Sequence, residues 1–246
     1  MARRPTVLSA PDVRAQARAP ERPLVIELAG VAGAGKSTIA NALARLDPEI
    51  RARPRVSGPS YLASLAALVP TAVGLHWPFH GLLAKETKRA LRLHALRRLV
   101  HRMTGRGAVL FDEGPVYMLA RTLALGGRGI TTPGFARWWR TTVAEWATVL
   151  DVVVWLEAPD DVLATRIHTR LQPHPLQNAH DRAVDVFLSA YRAAFGRVLA
   201  ELCVPRGPRL WTFATDRGSA DQTARAVLAR LRPLRETAPS VPEMAR

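Results

Sequence analysis

The chain has 246 residues, 48% of them hydrophobic, enough to bury a full core in one large domain or two small ones. Its formal net charge of +15 comes almost wholly from arginine, and its single cysteine, Cys203, excludes an intrachain disulfide framework and a cysteine-ligated zinc site. The charge attracts polyanions, yet there is no lysine-rich tract, zinc-finger spacing or RNP-like aromatic motif, so no specific nucleic-acid partner is expected. One cysteine in an apolar helical stretch reads as a core residue, and the natural inference is a cytoplasmic protein.

Residues 1–22, rich in Arg, Ala and Pro, lack the apolar core of a secretory signal and read as a disordered tail. Leu24–Ala29 is a short apolar run that predicts a buried strand. Next comes Gly30-Val31-Ala32-Gly33-Ala34-Gly35-Lys36-Ser37-Thr38, which fills every fixed position of the phosphate-binding pattern G-x-x-x-x-G-K-[ST]. Gly30, Gly33 and Gly35 can take positive φ, which lets successive N–H groups turn toward one anion. A helix opening at Lys36 adds its unpaired N–H groups and its positive dipole end. In this motif Lys36 reaches the β- and γ-phosphates and Ser37 ligates Mg²⁺, with Thr38 available to the α-phosphate.

The helix is expected to stop at Asp47-Pro48, and a short second strand is expected within 53–59, with Ser57 to Ser60 lining a second-substrate site. Residues 56–84 carry no Asp, Glu, Lys or Arg. The apolar part, 61–79, is interrupted by Pro70, Gly74, His76 and Pro78, so it reads as a helix and loop over the acceptor site; no membrane contact is expected. Lys85 to Met103 predicts a basic helix whose buried stripe is Leu91, Ala95, Leu96 and Leu99. Lys88, Arg89 and Arg92 are candidates to meet an anionic acceptor.

Ala108–Phe111 is a second buried strand, ending in Asp112-Glu113 and turned away by Gly114-Pro115. Phosphoryl transfer needs carboxylates at such a strand end, one to hold Mg²⁺ and one to orient or deprotonate the attacking group. Asp112 is the first choice for these roles and Glu113 the second. Helices are expected over 116–125 and 134–149, the latter with Trp138, Trp139 and Trp146 as core. Asp151–Ala158 predicts another strand, and Pro159-Asp160-Asp161 opens a helix carrying Arg166 and Arg170 four residues apart. Residues 171–180 form an expected lid, into which those arginines would carry charge for the transferring group. His168, His174 and His180 lack metal-site spacing. A helix over 181–204, a strand over 209–216 and a helix capped by Ser219 to about Arg230 complete the domain, 23–231, before a disordered tail, 232–246.

Five apolar strands alternating with helices predict an α/β fold with a five-stranded parallel sheet covered on both faces. Gly30–Thr38, Phe111-Asp112-Glu113-Gly114-Pro115 and Asp151–Pro159 with Arg166 and Arg170 together resemble the P-loop nucleoside and nucleotide kinases, nearest to thymidylate-kinase-like proteins. The resemblance spans about residues 23–231 and implies a P-loop NTPase three-layer sandwich with a lid. It implies ATP and Mg²⁺ as cofactors, Gly30 through Thr38 as the nucleotide site, and Ser37 and Asp112 as the metal-holding pair. It also implies Lys36, Asp112, Glu113, Arg166 and Arg170 as catalytic, a small-molecule acceptor as partner, and a homodimer, since dimers are usual in the group. Where thymidylate kinases have Asp-Arg after the third strand this chain has Asp112-Glu113, and Asp181-Arg182-Ala183-Val184 stands where Asp-Arg-Phe-Glu is expected. The implied activity is γ-phosphoryl transfer to a nucleoside, nucleoside monophosphate or similar small acceptor. The alternative is a non-catalytic ATP-binding switch that uses 61–79 and the basic helix to hold a partner or membrane surface. The guanine motif Asn-Lys-x-Asp and the transporter signature Leu-Ser-Gly-Gly-Gln are absent from the sequence.

Overall fold

The sheet is built outward from β1, Leu24–Ala29, whose six residues are all buried. The structure is a computed structural model that describes residues 22–54, 84–105, 107–126, 130–170 and 174–236. β1 pairs with β3, Ala108–Phe111, on one side and with β4, Val152–Glu157, on the other, so that Ile26 lies between Leu110 and Val152. β2, Ile50–Ala52, and β5, Arg209–Ala214, form the edges of the order β2-β3-β1-β4-β5, and every pairing is parallel. The three central strands, β1, β3 and β4, are buried and read as nearly unbroken apolar runs, which makes them legible in the sequence.

Two helix groups cover this sheet. α1, Lys36–Leu46, packs against α7, Ala220–Glu236. The second group centres on α6, Asp181–Leu202, which packs on α3, Pro115–Leu125, and also meets α4, Pro133–Val149, and α5, Asp160–Thr169. α2, Ala84–His101, leans on α3 and α4. Of the expected tryptophan core, Trp139 and Trp146 are buried and Trp138 is half-buried; Trp146 meets Phe111 edge-on at 6.4 Å between ring centroids. At the N-terminal side, Arg22 is anchored rather than loose. Its guanidinium donates to both carboxylate oxygens of Asp151, each at 3.1 Å, and Asp151 also accepts from the Val25 N–H.

Several boundaries differ from the sequence expectation. β2 lies at 50–52 instead of within 53–59. Arg53 N–H makes the last rung, to Leu110 O at 2.8 Å, then Arg53 turns to a φ of 54° and Pro54 has no N–H to continue the ladder. On α2 the buried stripe contains Leu91, Ala95 and Leu96 as expected, but Leu93 and Val100 join it and Leu99 is only half-buried. Helix α5 ends at Thr169, leaving Arg170 as an extended cap whose carbonyl accepts from the Gln177 side chain, so Arg166 and Arg170 are not a pair on one helical face. Helix α7 runs through Pro233 to Glu236, past the expected end at Arg230 and into the first residues of the expected tail. Leu231 is buried there and Arg235 pairs with Asp47, contacts that outweigh the one backbone bond a proline removes. Residues 1–21 and 237–246 of the expected tails, Ser57–Ser60 and the apolar 61–79 segment lie outside the described residues. No helix among the described residues is long and apolar enough to cross a membrane.

Candidate active site

The loop from Gly30 to Gly35 crosses from the C-terminal end of β1 to the start of α1. Gly30, Gly33 and Gly35 all have positive φ, at 156°, 82° and 86°. Space as well as torsion demands glycine at the first two. A Cβ on Gly30 would meet the Leu156 carbonyl oxygen at 2.6 Å, and one on Gly33 would meet the Leu163 carbonyl oxygen at 2.9 Å. Gly35 caps α1, so the first helical turn, Lys36 to Thr38, presents N–H groups that have no intrahelical acceptor.

Lys36 folds back over this loop, and its Nζ donates to Gly30 O at 2.7 Å and Val31 O at 3.0 Å. Burial lowers its pKa to about 8, against the pull of Glu113 and Asp112, which raise it. Ser37 Oγ donates to Asp112 Oδ2 at 3.1 Å across the gap between α1 and the end of β3. Two hard oxygens, a hydroxyl and a carboxylate, therefore converge, which is the donor chemistry that suits Mg²⁺ when substrate phosphates complete the shell. The same Oδ2 accepts from Arg53 Nε at 2.7 Å, and Arg53 Nη2 donates to Ser37 O at 3.2 Å.

Glu113 is exposed and faces a cleft of about 600 Å³ that runs along the loop. Asp112 and Glu113 thus separate: the first is turned to Ser37, the second to the open space. Below them lies Glu27, fully buried in β1. Its two oxygens accept from Val116 N at 2.8 Å and Tyr117 N at 2.9 Å at the start of α3, and a Cβ on Gly114 would collide with its carboxylate at 2.8 Å. Burial pushes its pKa up to about 8 even though those backbone N–H groups and Lys36 favour the anion.

The far wall of the cleft is aromatic. Tyr117 on α3 faces it, as do Phe187 and Tyr191 one turn apart on α6, with ring centroids at 4.4 Å. His174 adds an edge-on contact to Phe187 at 5.8 Å. At the other end the cleft is lined by Asn41, Thr215, Gly218 and Thr223. Arg166 crosses beneath the loop, donating to Gly33 O at 3.3 Å, to Thr215 Oγ1 at 3.0 Å and to Thr215 O at 2.8 Å.

No protein-family model matches the sequence, nor does any curated protein. The solved structures do give matches. Thymidylate kinase from Candida albicans aligns with a TM-score of 0.56 over 92% of this chain and 97% of that one, at 14% identity. The fold is that of the P-loop nucleotide kinases. Deoxyadenosine kinase from M. mycoides with bound dATP aligns with a TM-score of 0.52 over 85% of this chain and 100% of that one, at 13% identity.

Within this fold, the loop and the residues after β3 lie at the strand ends of one sheet edge, as a parallel α/β sheet requires, whereas Lys88, Arg89 and Arg92 on α2 are not among the residues lining the cleft. Gly30, Gly33, Gly35, Lys36, Ser37, Thr38, Glu113, Arg166 and Arg170 line the single cleft described above, and Asp112 supports it through Ser37. Sequence reading missed several contributors, including Phe187 and Tyr191 on α6. Glu27 left a signal, being the one acid in the apolar run LVIELA. Tyr117, Thr215 and Arg53 left none, because each is placed by a different loop or helix start.

Proposed function

We propose that the chain is an ATP-dependent kinase, a phosphotransferase that moves the γ-phosphoryl group of ATP to a nucleoside, nucleoside monophosphate or similar small acceptor. The observation that carries this reading is one cleft that holds a complete phosphate loop, a free carboxylate at Glu113 and an aromatic wall opposite. Catalysis of this reaction is positioning plus electrostatic stabilisation, and the residues divide that work. Backbone N–H groups of 31–38 receive the triphosphate. Lys36, held by the Gly30 and Val31 carbonyls, would give its charge to the β- and γ-oxygens. Ser37 and Asp112, whose oxygens converge, would hold Mg²⁺, which would supply neutralising charge to those phosphates.

Glu113 lines the cleft without being drawn to Ser37, and we assign it the acceptor's proton, with Asp112 left to the metal. This reverses the order of preference that strand position alone suggests. Arg166 is tied at three points to Gly33 and Thr215, so its work is to fix the loop's attitude against the end of β5. Arg170, beyond the helix end, is the arginine with reach toward the transferring group. Tyr117, Phe187 and Tyr191 offer flat faces to a planar acceptor, where stacking is worth about 0.5–1.5 kcal/mol per pair.

The test is ADP release from Mg-ATP across a panel of nucleosides, nucleoside monophosphates and small alcohols. One acceptor class is expected to stimulate turnover, and Lys36→Ala and Asp112→Asn each to abolish that stimulation. Glu113→Gln is expected to lower kcat with little change in nucleotide affinity. Turnover that no acceptor stimulates, in a protein that binds ATP, overturns the kinase reading.

A further inference from the structure

Arg53 is the one non-glycine residue with positive φ among the described residues, at 54°. A side chain in that region is disfavoured by contact of its Cβ with the following carbonyl, and persists where other bonds over-determine it. The bonds here are specific. The Arg53 N–H closes the β2–β3 ladder on Leu110 O at 2.8 Å. Its guanidinium then spans from the end of β2 to two other elements: Nε donates to Asp112 Oδ2 at 2.7 Å, and Nη2 donates to the Ser37 carbonyl at 3.2 Å. The Asp112 oxygen it takes is the same one that accepts the Ser37 hydroxyl. Arg53 therefore sits with its charge against the Asp112 carboxylate and the backbone of Ser37, the two residues whose side chains have the donor chemistry for a divalent cation. Asp112 is largely shielded from water, with 13% of its side chain exposed, while Arg53 is 44% exposed and has room to leave.

We infer that Arg53 is a built-in counter-ion that closes the Ser37–Asp112 oxygens to a bare divalent cation and yields them when the cation arrives on a nucleotide. The inference rests on the reading of Ser37 and Asp112 as the metal-holding pair. A bare hydrated cation meets a carboxylate already neutralised by a charge-assisted bond, and it gains only two protein oxygens by displacing it. A cation carried on a polyphosphate brings its other ligands with it, and the phosphate oxygens give the planar fork of the released guanidinium a bidentate partner. The arrangement favours loading of the metal–nucleotide complex over stepwise loading of metal and then nucleotide.

Mn²⁺ binding, followed by electron paramagnetic resonance on the full chain, tests this without any turnover. Without nucleotide, Arg53→Gln is expected to bind Mn²⁺ at least tenfold more tightly than wild type, and the gain to vanish in Arg53→Gln with Asp112→Asn. Arg53→Lys keeps a charge but not the fork, and a smaller gain in the same direction is expected; it carries the test should Arg53→Gln not fold. Equal Mn²⁺ affinity in wild type and the Arg53 variants overturns the inference. A second arm, with ADP present, separates this from the metal assignment itself. Mn²⁺–ADP binding that Asp112→Asn leaves unchanged removes the metal-holding pair, and the inference falls with it. Binding that Asp112→Asn weakens, beside Arg53 variants that bind bare Mn²⁺ no better than wild type, overturns the Arg53 inference alone.

Discussion

Lys36 holds its proton less firmly than a solvated lysine because its amine is enclosed by the loop it serves, and its pKa falls to about 8. Polyphosphate binding needs the charged form. Nucleotide affinity is therefore expected to be flat below pH 8 and to fall by about tenfold per unit above it, as one unit of protonation costs about 1.4 kcal/mol. Fluorescent ADP titrations from pH 7 to 9.5 read this directly, and a profile flat to pH 9.5 would refute it. Glu27 moves the other way. Its folded pKa of about 8 lies above the ordinary 4.5, so its stabilising share is full below pH 4.5 and is lost as pH rises through about 8. The stability of wild type minus that of Glu27→Gln is expected to decline across pH 4.5–8. Urea unfolding at pH 5, 6.5 and 8 measures it, and a constant difference would mean that the carboxyl ionises as freely in the fold as outside it. Glu27 was visible in the sequence as an acid among apolar neighbours. What it does was not visible, since its partners Val116 and Tyr117 lie on α3, far along the chain.

At the scale of elements, local chemistry set most starts and tertiary contacts set most ends. Ser219 opens α7 with a reciprocal cap: its Oγ accepts from Gln222 N at 3.1 Å, and its own N–H donates to Gln222 Oε1 at 2.8 Å. Ser219→Ala is expected to cost about 1 kcal/mol, read as a lower urea midpoint at unchanged slope; no shift would mean that packing against α1 alone holds the helix start. The other end of α7 escaped the sequence reading because Pro233 reads as a stop, and the burial of Leu231 with Arg235 reaching Asp47 at the end of α1 explains the extension. Trp146 shows the same dependence in a core element. Nothing in α4's sequence says which of its three tryptophans is fully enclosed, yet Trp146 lies against Phe111 at the end of β3. Trp146→Ala is expected to lose about 3–5 kcal/mol, measured by the same unfolding experiment, and a loss under 1 kcal/mol would contradict a close-packed site.

For the whole molecule, the cleft joins residues from 30 to 223, so anything that binds there ties the two helix groups to one another. Mg-ATP at a hundred times its Kd is expected to add about 2.7 kcal/mol of stability, which in a chain of this size is a rise in Tm of about 5–10 °C. Differential scanning fluorimetry reads the shift, and Lys36→Ala is expected to remove it. A wild-type Tm indifferent to nucleotide would deny the loop its phosphate. The added charge of the ligand also counters the excess of arginine, whose mutual repulsion works against the compact state.

The sequence by itself determined the phosphate loop, four of the five strands, the parallel α/β class and the identity of Lys36, Ser37, Asp112, Glu113, Arg166 and Arg170 as the residues to watch. Those features are local: glycines at required torsions, apolar runs of strand length, carboxylates at a strand end. Only the tertiary structure decided how the candidates divide. Asp112 and Glu113 are neighbours in sequence, but the turn after β3 sends one to Ser37 and the other into the cleft. Arg166 and Arg170 share a helical spacing, but α5 stops between them and Thr215 on another element captures the first. Arg53 gains its meaning only because parallel pairing of β2 and β3 brings their ends level. Periodicity and motif report what one segment does alone; the direction of a side chain at a strand end depends on partners supplied by other segments of the chain.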